Sequence, residues 1–123
     1  MTATDFYPIK LCGFKVSKSS EGLEIRLLEE TSATRDGFKT LETPIKELFY
    51  ALDDNRYTAK TIDDKLYWLV LSPYTDKQSK QNAYLYILDK YFRGKKGEEL
   101  LTEEELWDFD GYKQDGLSRY WVV

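Results

Sequence analysis

The sequence predicts an α+β fold: a single mostly antiparallel twisted sheet of five or six strands, built from hairpins, with two longer helices and one short C-terminal helix packed on it. Three observations lead there. Leu66-Tyr67-Trp68-Leu69-Val70-Leu71 is the longest unbroken apolar run, is rich in β-formers, and stops at Ser72-Pro73, so it reads as a strand. Asp36-Gly37 and Asp63-Asp64 each separate two strand-like segments and so mark hairpins. Two further segments, around 45–52 and 84–92, carry apolar residues at helical spacing.

Each element follows from its residues. Over 6–17, Ile9 and Leu11 share one parity and Phe14 and Val16 the other, so a strand is expected with a β-bulge near Cys12-Gly13. Pro8 lacks a donor and places the start of that strand on an edge. Ser17–Gly22 is a turn by composition, and Leu23, Ile25 and Leu27 alternate with Glu24 and Arg26 as a half-buried second strand. Phe38–Leu41 is a short third strand after Asp36-Gly37. Thr43 as N-cap and Pro44 at the first helical position open the first expected helix, with Ile45, Leu48, Phe49 and Leu52 on its inner face and Asp53-Asp54-Asn55 at its end. Tyr57–Ile62 and Leu66–Leu71 form the second hairpin. Both faces of 66–71 are apolar, so both should be covered in an internal strand.

Asp76 or Ser79 is the expected cap of a helix that runs to Arg93 and stops at Gly94. Its inner face holds Tyr84, Leu85, Ile87, Leu88, Tyr91 and Phe92. Thr102 with Glu105 is a capping box before a short helix carrying Leu106, Trp107 and Phe109. Asp110-Gly111 and Asp115-Gly116 are turns, and Leu117–Val123 is the last strand. The length of 123 residues fits one globular domain spanning 1–123.

Composition removes much chemistry. The chain has no histidine and one cysteine, Cys12, which excludes His bases, Ser-His and Cys-His pairs, His-containing zinc sites, and Cys-only zinc or iron–sulfur sites. No phosphate-binding glycine loop, nucleophile elbow or zincin motif occurs, so neither a cofactor nor a metal is expected, and the chain is not expected to be an enzyme. The segment 108–116 has the aspartates of a calcium loop without its ligand ladder, because Tyr112 and Lys113 fall at the fifth and sixth positions. Lone Cys12 on a core strand reads as inert, and the Asp53-Asp54 and Asp63-Asp64 pairs as turn residues. The start lacks a secretory pattern and no stretch reaches membrane-spanning length. With the single cysteine this leads to the expectation of a cytoplasmic protein with no membrane partner.

Charge is unevenly placed. Residues 98–123 hold eight acids and two bases, a net of −6, whereas residues 72–97 hold six bases and two acids, a net of +4. The acidic segment also holds aromatics, a mixture that protein-binding surfaces use. The expected function is therefore that of a small non-enzymatic protein-binding domain. Glu103, Glu104, Asp108 and Asp110 would steer and Trp107 and Tyr112 would anchor a protein partner, with a basic groove on a nucleic-acid-handling enzyme as the target. In type, though through no matched motif, such a histidine-free, acidic, aromatic-rich domain resembles the small inhibitors encoded by phages and mobile elements. The alternative is an accessory single-stranded nucleic-acid binder that uses the basic face of the helix near 79–96, through Tyr86, Lys90, Arg93, Lys95 and Lys96.

Overall fold

The N-terminal strand organises the molecule because it is long enough to serve three neighbours. Residues 6–51, 56–94, 97 and 101–123 are described by the structure, a computed structural model of the chain. Strand β1 (Phe6–Ser19) turns through Ser20-Glu21 into β2 (Gly22–Glu30). There follow β3 (Phe38–Thr40), β4 (Ile45–Ala51), β5 (Arg56–Thr61) and β6 (Leu66–Val70), then helix α1 (Thr75–Arg93), helix α2 (Glu103–Trp107), and the strands β7 (Tyr112–Asp115) and β8 (Ser118–Val122).

The strand order is β3-β2-β4-β5-β6-β1-β8-β7, and β1 also pairs with β2. That extra pairing closes β1, β2, β4, β5 and β6 into a five-stranded barrel, with β3, β7 and β8 as additions. The expected open sheet is thereby overturned, and so is the expected pair of longer helices, since α1 is the one long helix among the described residues. The sense of closure follows from the count. Four successive antiparallel steps return the fifth strand to the direction of the first, so β6 must meet β1 in parallel, as it does from Phe6↔Leu66 to Lys10↔Val70.

Segment 45–51 is where sequence and structure part. It is a strand, not a helix, paired antiparallel with β5 from Ile45↔Thr61 to Ala51↔Arg56, and a register shift between Ile45 and Glu47 adds one residue. Ile45 opposes Thr61 and Leu48 opposes Ala59, all four buried, so residues three apart share the inner face. A bulged strand thus reproduces helical spacing. The one bulge that was expected is present: the β1–β2 register shifts between Leu11 and Gly13. Before it, β1 pairs with β6; after it, Gly13 to Ser17 pair with β8 on that same side. The recorded pairs with β2 begin at Leu11, so Pro8 sits where β1 has a neighbour on one side only.

Strand β6 is internal, lying between β5 and β1, yet its expected two-sided burial is not met. Leu69 is buried, Leu66, Tyr67 and Trp68 are half-buried, and Val70 is exposed. One face lines the barrel, and on the other the Arg56 guanidinium lies 4.8 Å over the Trp68 ring while Val70 is exposed. Helix α1 packs on β1 and β4, and its Tyr84, Leu85, Leu88, Tyr91 and Phe92 join the core that the inward side chains form. Its N-cap is Tyr74, without a side-chain bond, instead of Asp76 or Ser79. Gly94 does follow the last helical residue, but in right-handed conformation (φ −60°) and not the left-handed one that favours glycine.

Candidate functional site

The C-terminal segment builds a surface on the outer end of the sheet. Thr102 accepts from the Glu105 backbone N–H and the Glu105 side chain accepts from that of Thr102, so the expected capping box starts α2. Leu106 is buried and fixes the helix, which leaves Glu103, Glu104 and Glu105 exposed on the first turn. The chain then reverses at Gly111 (φ +97°) into β7, a strand that sequence reading missed between the two expected turns. Gly116 (φ +60°) and Leu117 form a two-residue turn into β8.

Trp121 of β8 is fully buried. Its ring stacks on Phe14 at 4.6 Å and meets Tyr112 edge-on at 5.7 Å, and its Nε1 donates to the Phe109 carbonyl at 3.1 Å. Two residues earlier on the same face, Arg119 places its guanidinium 4.4 Å from the Trp107 ring and 4.6 Å from the Tyr112 ring. The two expected anchors are therefore brought together, held by one cation between them. Lys18 adds a contact of 5.8 Å to the Trp107 ring and pairs with Glu103 at 3.4 Å. Trp107 is half-buried and Tyr112 exposed.

The expected steering residues Glu103, Glu104, Asp108 and Asp110 are all exposed. Among the described residues Glu104, Asp108, Asp110 and Asp115 have no cation within 4.0 Å. Elsewhere Glu24, Glu29, Glu30, Asp64 and Asp89 are each ion-paired, whereas among the described residues Glu21, Asp36, Glu42, Asp63 and Asp76 likewise have no cation within 4.0 Å. At the tip of the β7–β8 turn, Leu117 is 90% exposed. Arg119, Lys18 and Leu117 were missed from the sequence. Leu117 had a misleading signal, since Asp-Gly commonly fills a two-residue turn itself and would make Leu117 the first residue of the strand, whereas here the turn is Gly116-Leu117. Arg119 had none, because its partners come from two other elements.

The alternative face is also assembled in part. Tyr86 is 57% exposed with the Lys90 Nζ 4.5 Å from its ring centroid, and Arg93 is paired with Asp89 at 2.7 Å. Lys95 and Lys96 lie outside the described residues, as do Asp53 and Asp54.

Elsewhere, ionisable groups serve the fold. Cys12 is buried, and burial together with Glu30 raises its thiol pKa. Asp64, in left-handed backbone at the β5–β6 turn, accepts from Lys46 at 2.6 Å, which lowers its carboxyl pKa and raises that of Lys46. A cleft of about 680 Å³ opens beside Pro8, Lys10, Glu29 and Glu30, but its two carboxylates are paired with Lys39 and Lys77. Among the described residues no three His, Cys, Asp or Glu side chains gather in a metal-holding group, and no helix is long and apolar enough to cross a membrane. No protein-family model matches this chain, and neither the curated proteins nor the solved structures give a significant match.

Proposed function

We infer that the chain is a protein-binding domain whose contact surface is formed by α2 and the β7–β8 hairpin. The observation that carries this reading is the exposed Leu117 tip on a hairpin bordered by carboxylates without cation partners. An apolar side chain in open water costs hydration free energy that a partner's pocket recovers. Unneutralised carboxylates around it raise the rate of encounter with a basic partner. The stack of Trp107, Arg119 and Tyr112 fixes the neighbouring rings before binding, which lowers the ordering cost of association. The partner of best fit presents a basic groove, as a nucleic-acid-handling enzyme does, and occupation of that groove would inhibit it.

Immobilised protein tests this at low and moderate salt against a host lysate. The expected result is a retained protein that free nucleic acid displaces and that a variant with Glu103, Glu104, Asp108 and Asp110 changed to Lys no longer retains. Retention unaffected by the fourfold reversal would sink the reading. The helix face of Tyr86, Lys90 and Arg93 supports a nucleic-acid contact less well, because Asp89 already neutralises Arg93.

A further inference from the structure

Strand β7 ends the sheet order, so among the described residues one of its sides has no strand partner. The register tells which backbone groups lie there. In a two-residue hairpin the residues flanking the turn exchange both backbone bonds, which here are Asp115 and Ser118. Alternation then makes Lys113↔Tyr120 a bonded pair, and turns the N–H and C=O of Tyr112 and Gln114 away from β8. The rest of the sheet agrees. The β1–β2 hairpin has Ser19 and Gly22 flanking its own two-residue turn, so Ser17 and Lys15 bond toward β2 while Val16 and Phe14 bond toward Arg119 and Trp121. Residues 118 and 120 are thereby left to bond β7, the same parity reached from the other side.

Two donors and two acceptors thus point outward from a strand whose four residues are all exposed. Among the other open edges, the free side of β1 carries Pro8, β3 is three residues long, and β4, which pairs with β2 at Ile45 alone, has α1 packed on it. β7 has neither a proline nor a bulge, although it too is short and carries Lys113. Asp110 and Asp115 stand just before it and at its end, both exposed and without a cation partner.

We propose that β7 accepts an extended basic segment of a partner protein as a ninth strand. This rests on the reading of the α2 and β7–β8 surface as the binding face, and adds how that face takes hold. Backbone bonds from Tyr112 and Gln114 supply the pairing, and Lys or Arg residues toward the ends of the added strand meet Asp110 and Asp115. Lys113 admits no second cation beside it, so the residue opposite Lys113 is uncharged or acidic.

The probe is a fluorescein-labelled nonapeptide with Lys confined to its two ends and Val and Thr between them, titrated against the full chain by anisotropy, with amide hydrogen exchange followed by NMR. The expected result is slowed exchange at Tyr112 and Gln114, with Lys113 and Asp115, already bonded, unchanged. Gln114→Pro removes an outward donor without touching the β8 ladder and lowers peptide affinity at least tenfold. Should that variant unfold the hairpin, N-methylation of alternate peptide amides replaces it: methyls on the side facing β7 abolish binding, and methyls on the far side do not. Absence of binding overturns the added strand. So does binding that leaves Tyr112 and Gln114 unprotected or that survives the facing methyls. If those results came with lysate retention still lost on the fourfold charge reversal, the acidic surface would stand as a side-chain site alone. Retention indifferent to that reversal would instead remove the surface reading itself.

Discussion

Gln81 donates from Nε2 to the carbonyl oxygen of Leu11 at 2.7 Å, in a position where Gln81 is only 2% exposed. Leu11 stands at the β1 bulge, where the register shift takes its carbonyl out of the ladder. The Oε1 of the same side chain accepts from the Ser72 N–H at 2.8 Å. One amide therefore satisfies both the bulge and the turn from β6 into α1. Gln81→Ala leaves one buried and one half-buried backbone group without partners and is expected to cost about 2–4 kcal/mol, a fully buried orphan costing roughly 1–3 kcal/mol and a partly wetted one less. Gln81→Glu keeps the acceptor for Ser72 but sets a carboxylate against the Leu11 carbonyl, so its loss should shrink at acid pH, where the protonated acid donates. Urea unfolding of both variants at pH 5 and pH 8 checks this; an Ala variant as stable as the parent would show that water replaces the amide.

At Gly13 the space of the missing side chain is occupied by another strand, whereas nothing lies within 4 Å of that space at Gly22, Gly37, Gly111 or Gly116. The φ of Gly13 is +155°, and a Cβ there would overlap the Trp121 carbonyl of β8. Neither the backbone of β8 nor buried Trp121 has room to retreat. Gly13→Ala should therefore cost more than about 2 kcal/mol, through backbone strain and a displaced β8 together. Gly116→Ala, where nothing lies within 4 Å, carries only the conformational penalty and should cost less. Thermal melts of the two variants side by side distinguish them.

The bulge at Cys12-Gly13 was legible because a parity change with a glycine on it has few other meanings. The bulge in β4 was not: Ile45, Leu48 and Phe49 behind Thr43-Pro44 satisfy every local rule for a helix start, and only the pairing of Ile45 with Thr61 and Leu48 with Ala59 decides otherwise. Barrel closure was equally hidden, because it depends on β1 meeting β6, some sixty residues away, and on the single recorded β2–β4 pair Ile25↔Ile45. At the candidate site the capping box and the turn glycines could be read locally. Arg119 between Trp107 and Tyr112 could not, since the contact exists only once α2 and β7 are folded onto β8.

Burial raises the pKa of Cys12, with Glu30 adding to it, and that of Tyr84, with Cys12 adding to it. Tyr57 and Tyr91 are raised the same way, by burial first and then by Asp89 and Glu103 respectively. A raised acid keeps its proton in the folded state after the unfolded chain has lost it. Stability is therefore intact below the ordinary values, about 8.5 for Cys and 10 for Tyr, and falls as pH climbs through the raised ones. The urea midpoint is expected to hold from pH 7 to 8 and to decline toward pH 11. Tyr84→Phe removes one of the titrating groups, along with a 2.9 Å bond to the Val122 carbonyl. That variant should start less stable at pH 7 and lose less on the way to pH 11. A parallel decline in both proteins would show that Tyr84 does not contribute.

The clamp on Trp107 predicts a measurable coupling. The Arg119 guanidinium faces two rings at 4.4 and 4.6 Å, while the Lys18 contact to Trp107 is longer at 5.8 Å. A cation over an aromatic face contributes about 0.5–1 kcal/mol when exposed and up to about 2 kcal/mol when desolvated, so Arg119→Ala should cost about 1–2 kcal/mol. Arg119→Lys keeps the charge but loses the planar group that lies against both rings at once, and should recover less than half of that. In a Trp68→Phe background, Arg119→Ala should shift the emission toward the red as Trp107 enters water, with buried Trp121 unaffected. The double variant Trp107→Ala, Arg119→Ala should lose less than the sum of its singles by about 0.5–1.5 kcal/mol, because each single removes the same contact. Additive losses would mean that Arg119 acts through its stem against Tyr112, and that Trp107 is held by Lys18 and by the anchoring of α2 at Leu106.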